Sequence, residues 1–145
     1  TDVIKFAYQT GARQGEILKL KREHIDFENK QCTFYDTKNS QDRTIPLADE
    51  TIAIIKKHVF GEYIFNSNSS RLRKWFRRAC KTAKISNFRF HDLRACFCTN
   101  ALLNGWSVAE VSAVSGHKDW SQLKRYTRIK PKDLLEKINN VVNLK

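Results

Sequence analysis

The stretch from Ser69 to Lys84 limits what this chain can fold into more than any other. Leu72, Trp75, Phe76, Ala79, Cys80 and Ala83 recur at i, i+3, i+4, i+7, i+8 and i+11, the spacing of one helical face. Among them stand Arg71, Arg73, Lys74, Arg77, Arg78, Lys81 and Lys84, and Arg89 continues the run. No acidic residue lies between Glu62 and Asp92. Such a helix buries its apolar stripe on a core and leaves a cationic face outward. The whole chain agrees in sign: 27 Lys+Arg against 15 Asp+Glu leave a formal net charge of +12. That balance suits a polyanion, either nucleic acid or an anionic membrane surface. A generally basic soluble protein is the plainer alternative.

The 145 residues fit one domain, and 41% hydrophobic residues suffice for a core, which excludes disorder of the whole chain. No apolar run approaches the roughly 18–20 residues of a membrane span. A basic amphipathic helix with a broad open apolar face is also missing, which sets a membrane-surface role aside. No charged-then-apolar leader opens the sequence. Cys32, Cys80, Cys96 and Cys98 show neither a CxxC nor zinc-ligand spacing. The expectation is reduced thiols in a cytoplasmic protein. The sequence opens on Thr1 and contains no Met, as expected of a domain cut from a longer chain.

Residues 2–9 read as the end of a helix, closed by Gly11 in a left-handed turn. A short helix follows over 16–20. Residues 24–27, 31–37 and 43–47 read as strands, being β-branched and aromatic. Turns at Glu28-Asn29-Lys30 and Asn39-Ser40-Gln41-Asp42 join them into a small antiparallel three-stranded sheet, with Pro46 marking an edge. Helices dominate the rest. Asp49 caps one carrying Ile52, Ile54 and Ile55, residues 63–65 are extended, and Ser69 or Ser70 caps the basic helix. Further helices run over 91–104, ended by Gly105, and from the Ser107–Glu110 capping box to Gly116. Asp119 caps another around 123–127. Pro131 opens the last, with Leu134, Leu135, Ile138, Val141 and Val142 on one face. The fold class is α+β, mainly α-helical with one small sheet.

Four polar clusters stand where these elements end, the places where sites are usually built. In Thr10-Gly11-Ala12-Arg13-Gln14-Gly15-Glu16, Arg13 follows the glycine turn; alone it also reads as a surface arginine paired with Glu16. Lys38 lies at a hairpin tip ahead of Arg43-Thr44-Ile45-Pro46-Leu47, and alone it reads equally as edge protection. His91 and Arg94 are three apart on one helical face, with Cβ atoms about 5–6 Å apart. They suit a bound anion such as phosphate, or are a helix-terminal His beside a solvated Arg. His117 precedes Tyr126 by 9 residues, and Arg125 and Arg128 flank that tyrosine. It reads as an exposed nucleophile, or as an interface tyrosine with a bonded hydroxyl.

Taken together, TGARQGE, TKNSQDRTIPL, FHDLRACF and SGHKDW followed by RYTR resemble the motifs of the tyrosine site-specific recombinases, the phage integrase family. The 23 residues from Arg94 to His117 and the 9 from His117 to Tyr126 suit that family. The resemblance runs from Tyr8 to Arg128. It implies the family's catalytic-domain fold over residues 1–145, with an N-terminal DNA-clamping domain outside this sequence. It implies catalytic roles for Arg13, Lys38, His91, Arg94, His117 and the nucleophile Tyr126. The basic helix then supplies duplex contacts through Arg71, Arg73, Lys74, Arg77, Arg78 and Lys81, together with Arg89. Cys96, Cys98 and Trp120 depart from the small or polar residues usual in the family, but stand beside the catalytic positions rather than on them.

The implied reaction breaks and rejoins DNA phosphodiesters without metal, cofactor or ATP. Tyr126 attacks phosphorus, forms a 3′-phosphotyrosyl link and frees a 5′-hydroxyl, and attack by that hydroxyl or a partner strand's reverses the step. Arg13 and Arg94 offer planar donors to the non-bridging oxygens, and His117 adds another. A phenol of pKa about 10 needs a base, for which His91 is the candidate. The resemblance assigns Lys38 as the acid for the leaving oxygen. The implied partners are double-stranded DNA and further copies of the chain in a tetramer, with no small-molecule substrate. The last helix either joins a neighbouring copy, as in the family, or packs on its own domain. Two rival readings stand beside this one. A type IB topoisomerase shares the chemistry and relaxes supercoils alone, and an inert DNA-binding module has lost it. Competent residues at all six catalytic positions weigh against the second.

Overall fold

The computed structural model of the protein describes residues 2–35, 41–127 and 131–142. The first helix, α1 (Asp2–Thr10), ends where the sequence places its stop. Gly11 takes φ +62°, and its N–H closes on the Ala7 carbonyl at 3.0 Å. The next helix, α2 (Gln14–Leu18), starts two residues earlier than expected. The Glu16 carboxylate accepts the Arg13 backbone N–H at 2.7 Å and so satisfies the first turn from within.

Three strands follow, β1 (Ile25–Asp26), β2 (Gln31–Phe34) and β3 (Arg43–Pro46), antiparallel in the order β1-β2-β3. Ile25 pairs with Cys32 and Cys32 with Ile45, so alternation buries Cys32, Phe34 and Ile45 on one face. Pro46 stands on an edge strand, as expected. The first strand is shorter than predicted because residues 22–24 form a 3-10 turn, in which His24 Nδ1 accepts the Lys21 N–H. Residues 36–40, with Lys38 and the first half of the expected second turn, lie outside the described residues.

Two caps differ from the sequence reading. Helix α3 (Asp49–Lys56) has Ala48 at its N-cap. Asp49 sits inside the first turn, where its carboxylate meets Lys30 Nζ at 2.6 Å. Helix α4 (Ser69–Thr82) is capped by Asn68, whose Oδ1 accepts the Arg71 N–H at 2.9 Å, and not by Ser69 or Ser70. The apolar stripe of α4 is also narrower than predicted. Leu72 and Phe76 are buried and Cys80 is half-buried, but Trp75 is 48% exposed, Ala79 is open, and Ala83 lies past the helix end. The helix meets the core along one line, leaving most of its circumference to solvent.

Helix α5 (Asp92–Leu103) has His91 at its N-cap. Helix α6 (Val108–Ser115) begins at the Ser107–Glu110 capping box and ends at Gly116, φ +77°. The segment Trp120–Tyr126, capped by Asp119, is a 3-10 turn rather than an α-helix. The last helix, α7 (Pro131–Val142), starts at Pro131 as predicted and exposes Leu134, Leu135, Ile138 and Val141. Among the described residues no helix is long and apolar enough to cross a membrane.

The main core joins α1, the sheet, α3 and α4, with Phe6, Ile17, Leu20, Ile55 and Leu72 fully buried. Each such side chain contributes about 1.5–3 kcal/mol. A smaller core of Cys98, Ala101, Val111 and Leu123 joins α5, α6 and the 3-10 turn, and Phe97 and Tyr126 pack on it. Helix α5 also packs on α1, and α6 on β3, which brings Arg13, Arg43, Arg94 and His117 to the seam between the two cores.

Candidate active site

The centre of this seam is the C-terminal end of α6. A helix end presents unpaired carbonyls and the negative pole of its dipole, which favours cations. Two arginines from distant parts of the chain use it. Arg94, on the first turn of α5 and only 4% exposed, donates from Nη1 to the Ser115 carbonyl and, at 2.9 Å, to the Gly11 carbonyl at the end of α1. Arg13 donates from Nη2 to the Gly116 carbonyl at 3.0 Å. Among the described residues Arg94 pairs with no carboxylate. Burial, followed by the charge of Arg13, lowers it to about 10, so it remains a cation at neutral pH.

Glu16 organises the other side. Its oxygens accept Arg43 Nη1 at 3.0 Å and Nη2 at 2.9 Å, and Arg13 Nη1 at 3.1 Å. Burial raises the carboxyl, but the Arg43 hydrogen bonds, the Arg13 N–H and both positive charges outweigh it, and the group stays below the usual glutamate range. Arg43 also lies over the Phe34 ring, 5.0 Å from its centroid. Thus Arg13 is both paired with Glu16 and part of the cluster, two readings that the sequence kept apart.

His117 follows Gly116 and is half-buried. Ser115 Oγ lies 2.7 Å from its Nδ1, and Ser112 Oγ donates to its carbonyl. Arg94 Nη2 lies 3.2 Å from both ring nitrogens. Burial and the charges of Arg94, Arg13 and Arg125 push His117 down to about 4, so the ring is neutral at pH 7. His91, at the N-terminus of α5, is also lowered, by partial desolvation and then by Arg94. Its neutral ring can accept a proton.

The structure therefore brings Arg13, His91, Arg94 and His117 together. Tyr126 ends the 3-10 turn, half-buried on the smaller core, with the Arg125 guanidinium 5.3 Å from its ring. Among the described residues its hydroxyl has no hydrogen-bond partner. Lys38 lies outside the described residues. Of the basic residues, Arg71, Arg73, Lys74, Arg77, Arg78 and Lys81 are all exposed on α4. Arg73, Arg77 and Lys81 line a groove that also holds Gln14, Arg89 and His91, so the cationic helix runs up to the cluster. Arg89 is tied to Asp92 at 3.2 Å.

Sequence reasoning missed Arg43, Ser112 and Ser115. Arg43 is written in the same motif as Lys38, but an arginine on an edge strand gives no sign of burial. The two serines read as ordinary helix residues. Glycines complete the site: a Cβ on Gly116 would lie 2.3 Å from Arg43 Nη1, and one on Gly11 2.5 Å from the Phe97 ring.

Comparison with known proteins identifies the family and the fold. Residues 2–133 match the sequence profile of the Phage integrase family. The chain is 32% identical over 141 residues to the shufflon-specific DNA recombinase of Escherichia coli, covering 94% of this chain and 36% of the relative. It thus spans about a third of that protein's length. The fold is similar to that of the Tn1549 transposon integrase, solved with a circular intermediate DNA (TM-score 0.84, 17% identity, 96% of this chain and 57% of the other). It is also similar to the catalytic domain of bacteriophage HP1 integrase (TM-score 0.75, 23% identity, 99% of this chain and 84% of the other). With 132 of its 145 residues inside the family match, this chain belongs to the phage integrase family.

Proposed function

We propose that this chain, as a catalytic domain, cleaves and rejoins DNA strands in site-specific recombination through a 3′-phosphotyrosyl intermediate, without metal or ATP. The convergence of Arg13 and Arg94 on the carbonyl end of α6, with His117 beside them, carries this reading. Glu16 is neutralised by Arg43, so the cluster keeps a positive excess that a phosphodiester complements. Donors already fixed on backbone carbonyls need no reorganisation as charge gathers on the non-bridging oxygens. Each is worth about 2.7–4 kcal/mol of barrier.

In this reading Tyr126 attacks phosphorus and passes its proton to His91, whose ring is unprotonated at neutral pH. Lys38 protonates the departing 5′-oxygen. The exposed cations of α4, with Arg89, hold duplex phosphates, so affinity falls steeply with salt. The open apolar face of α7 meets another copy of the chain in a tetramer on two duplexes. The compartment is the cytoplasm, where the DNA is. The DNA recombinase activity of the shufflon-specific relative and the DNA bound to the Tn1549 integrase support the same reading.

Supercoiled plasmid incubated with the chain in EDTA tests it. Strand breakage and rejoining that is lost in Arg94→Ala is expected, with joints between different duplexes when two target sites are present. Relaxation without such joints favours the topoisomerase reading. Binding with no strand ever broken contradicts the proposal.

A further inference from the structure

Ser115 is the last residue of α6 and is fully buried. Its Oγ lies 2.6 Å from the Val111 carbonyl oxygen and 2.7 Å from His117 Nδ1. A serine hydroxyl has one proton, and a carbonyl oxygen has none. The proton between Oγ and the Val111 oxygen must therefore come from Ser115. Nothing is left on Oγ to donate to the ring, so the contact with Nδ1 needs a proton on Nδ1. Ser112, which donates to the His117 carbonyl, fixes the backbone that carries the ring.

We propose that Ser115 is a positioning residue that holds His117 in the Nδ1–H tautomer, reserving Nε2 as the nitrogen that takes up a proton when phosphate enters the cluster. The proposal rests on the reading of this cluster as the phosphate site. Neutral His117 in this tautomer accepts from Arg94 Nη2 on its Nε2 lone pair at 3.2 Å. It cannot donate to a phosphate oxygen until Arg94 turns to that phosphate and Nε2 takes up a proton.

The surroundings make that uptake conditional. From α5, Arg94 and the Cys98 thiol face the Ser115–His117 pair, and His91 stands at the N-terminus of the same helix. Arg13 comes from the segment before α2, Arg125 from the 3-10 turn, and Arg43, Asp42 and Lys118 line the adjoining cleft. Cations predominate, so the ring stays neutral until an anion offsets them. A phosphodiester supplies that anion, and its binding draws one proton from solvent onto Nε2. The proton is then positioned to donate to a non-bridging oxygen.

Long-range ¹H–¹⁵N correlation spectra of the ¹⁵N-histidine-labelled chain, without DNA and at pH 7.5, test the tautomer directly. The His117 signals are identified by their loss in His117→Gln. The expected spectrum has a protonated-type Nδ1 and an unprotonated-type Nε2. Ser115→Ala shifts the tautomer ratio toward Nε2–H by about tenfold, the worth of one hydrogen bond, whereas Ser115→Thr retains the wild-type pattern. A wild-type spectrum dominated by Nε2–H overturns the proposal, as does an unchanged ratio in a folded Ser115→Ala. If Ser115→Ala does not fold, the wild-type and Ser115→Thr spectra still decide. The measurement needs no cleavage. A chain that never breaks DNA overturns the functional reading and leaves the tautomer standing.

Discussion

Arg43 closes both oxygens of Glu16 in a fork, 3.0 and 2.9 Å away, and the same carboxylate holds Arg13. The strand that follows the Lys38 segment is thereby tied to the arginine before α2. The side chains of Arg43 and Glu16 are 10% and 6% exposed, so neither charge can turn to water when its partner is lost. Glu16→Ala and Arg43→Ala are each expected to cost about 3–5 kcal/mol in urea unfolding. The double variant is expected to cost clearly less than the sum. Additive losses would show that the pair is not coupled.

The glycines of the site make a second expectation. Gly105 and Gly116 both have positive φ, +87° and +77°, but open space surrounds Gly105 whereas Arg43 blocks Gly116. Gly105→Ala should cost only the backbone strain, about 1–2 kcal/mol. Gly116→Ala should cost more, and Gly116→Asn should not rescue it, because asparagine eases the backbone but still brings a Cβ. Thermal unfolding of the three variants checks this ordering.

Acid stability follows from His117. Its folded value is about 4, against a usual 6.5. Above about 6.5 the ring is neutral in both states, and its contribution to stability is fully present. As pH falls from 6.5 toward 4 only the unfolded chain takes the proton, so stability is lost across that window. His117→Gln should lose less stability than wild type between these values. Parallel slopes in urea titrations would contradict it.

The cap of α4 offers a local check. Asn68→Ala should destabilise by about 1 kcal/mol, whereas Ser69→Ala and Ser70→Ala should change little, as measured by the urea midpoint. A loss at either serine that matches Asn68 would move the helix start.

Much of the site was legible in the sequence, because its motifs sit at chain stops that local chemistry dictates. Gly11 and Gly116 end helices with positive φ, and Arg13 and His117 follow them closely, while His91 and Arg94 stand at the start of α5. Their supports were not legible. Burial of Arg43 arises from packing of β3 on α6, and Ser115 acquires its role only when the chain turns back at Gly116. Asn68, Ser69 and Ser70 are all competent caps, so spacing alone could not choose among them. The stripe of α4 overstated burial for a similar reason: periodicity marks which residues share a face, not how wide a neighbour covers it.

The most direct test concerns Tyr126. A nicked duplex of the target sequence loses a short fragment on cleavage, so the cut strand cannot be rejoined and the intermediate accumulates. Wild-type chain should give a denaturation-resistant protein–DNA adduct through the 3′-phosphate, formed in EDTA, with the nucleotide on Tyr126 by mass spectrometry. Tyr126→Phe should bind the same duplex with unchanged affinity and give no adduct. An adduct that persists in Tyr126→Phe, or linkage to a 5′-phosphate, would contradict the account.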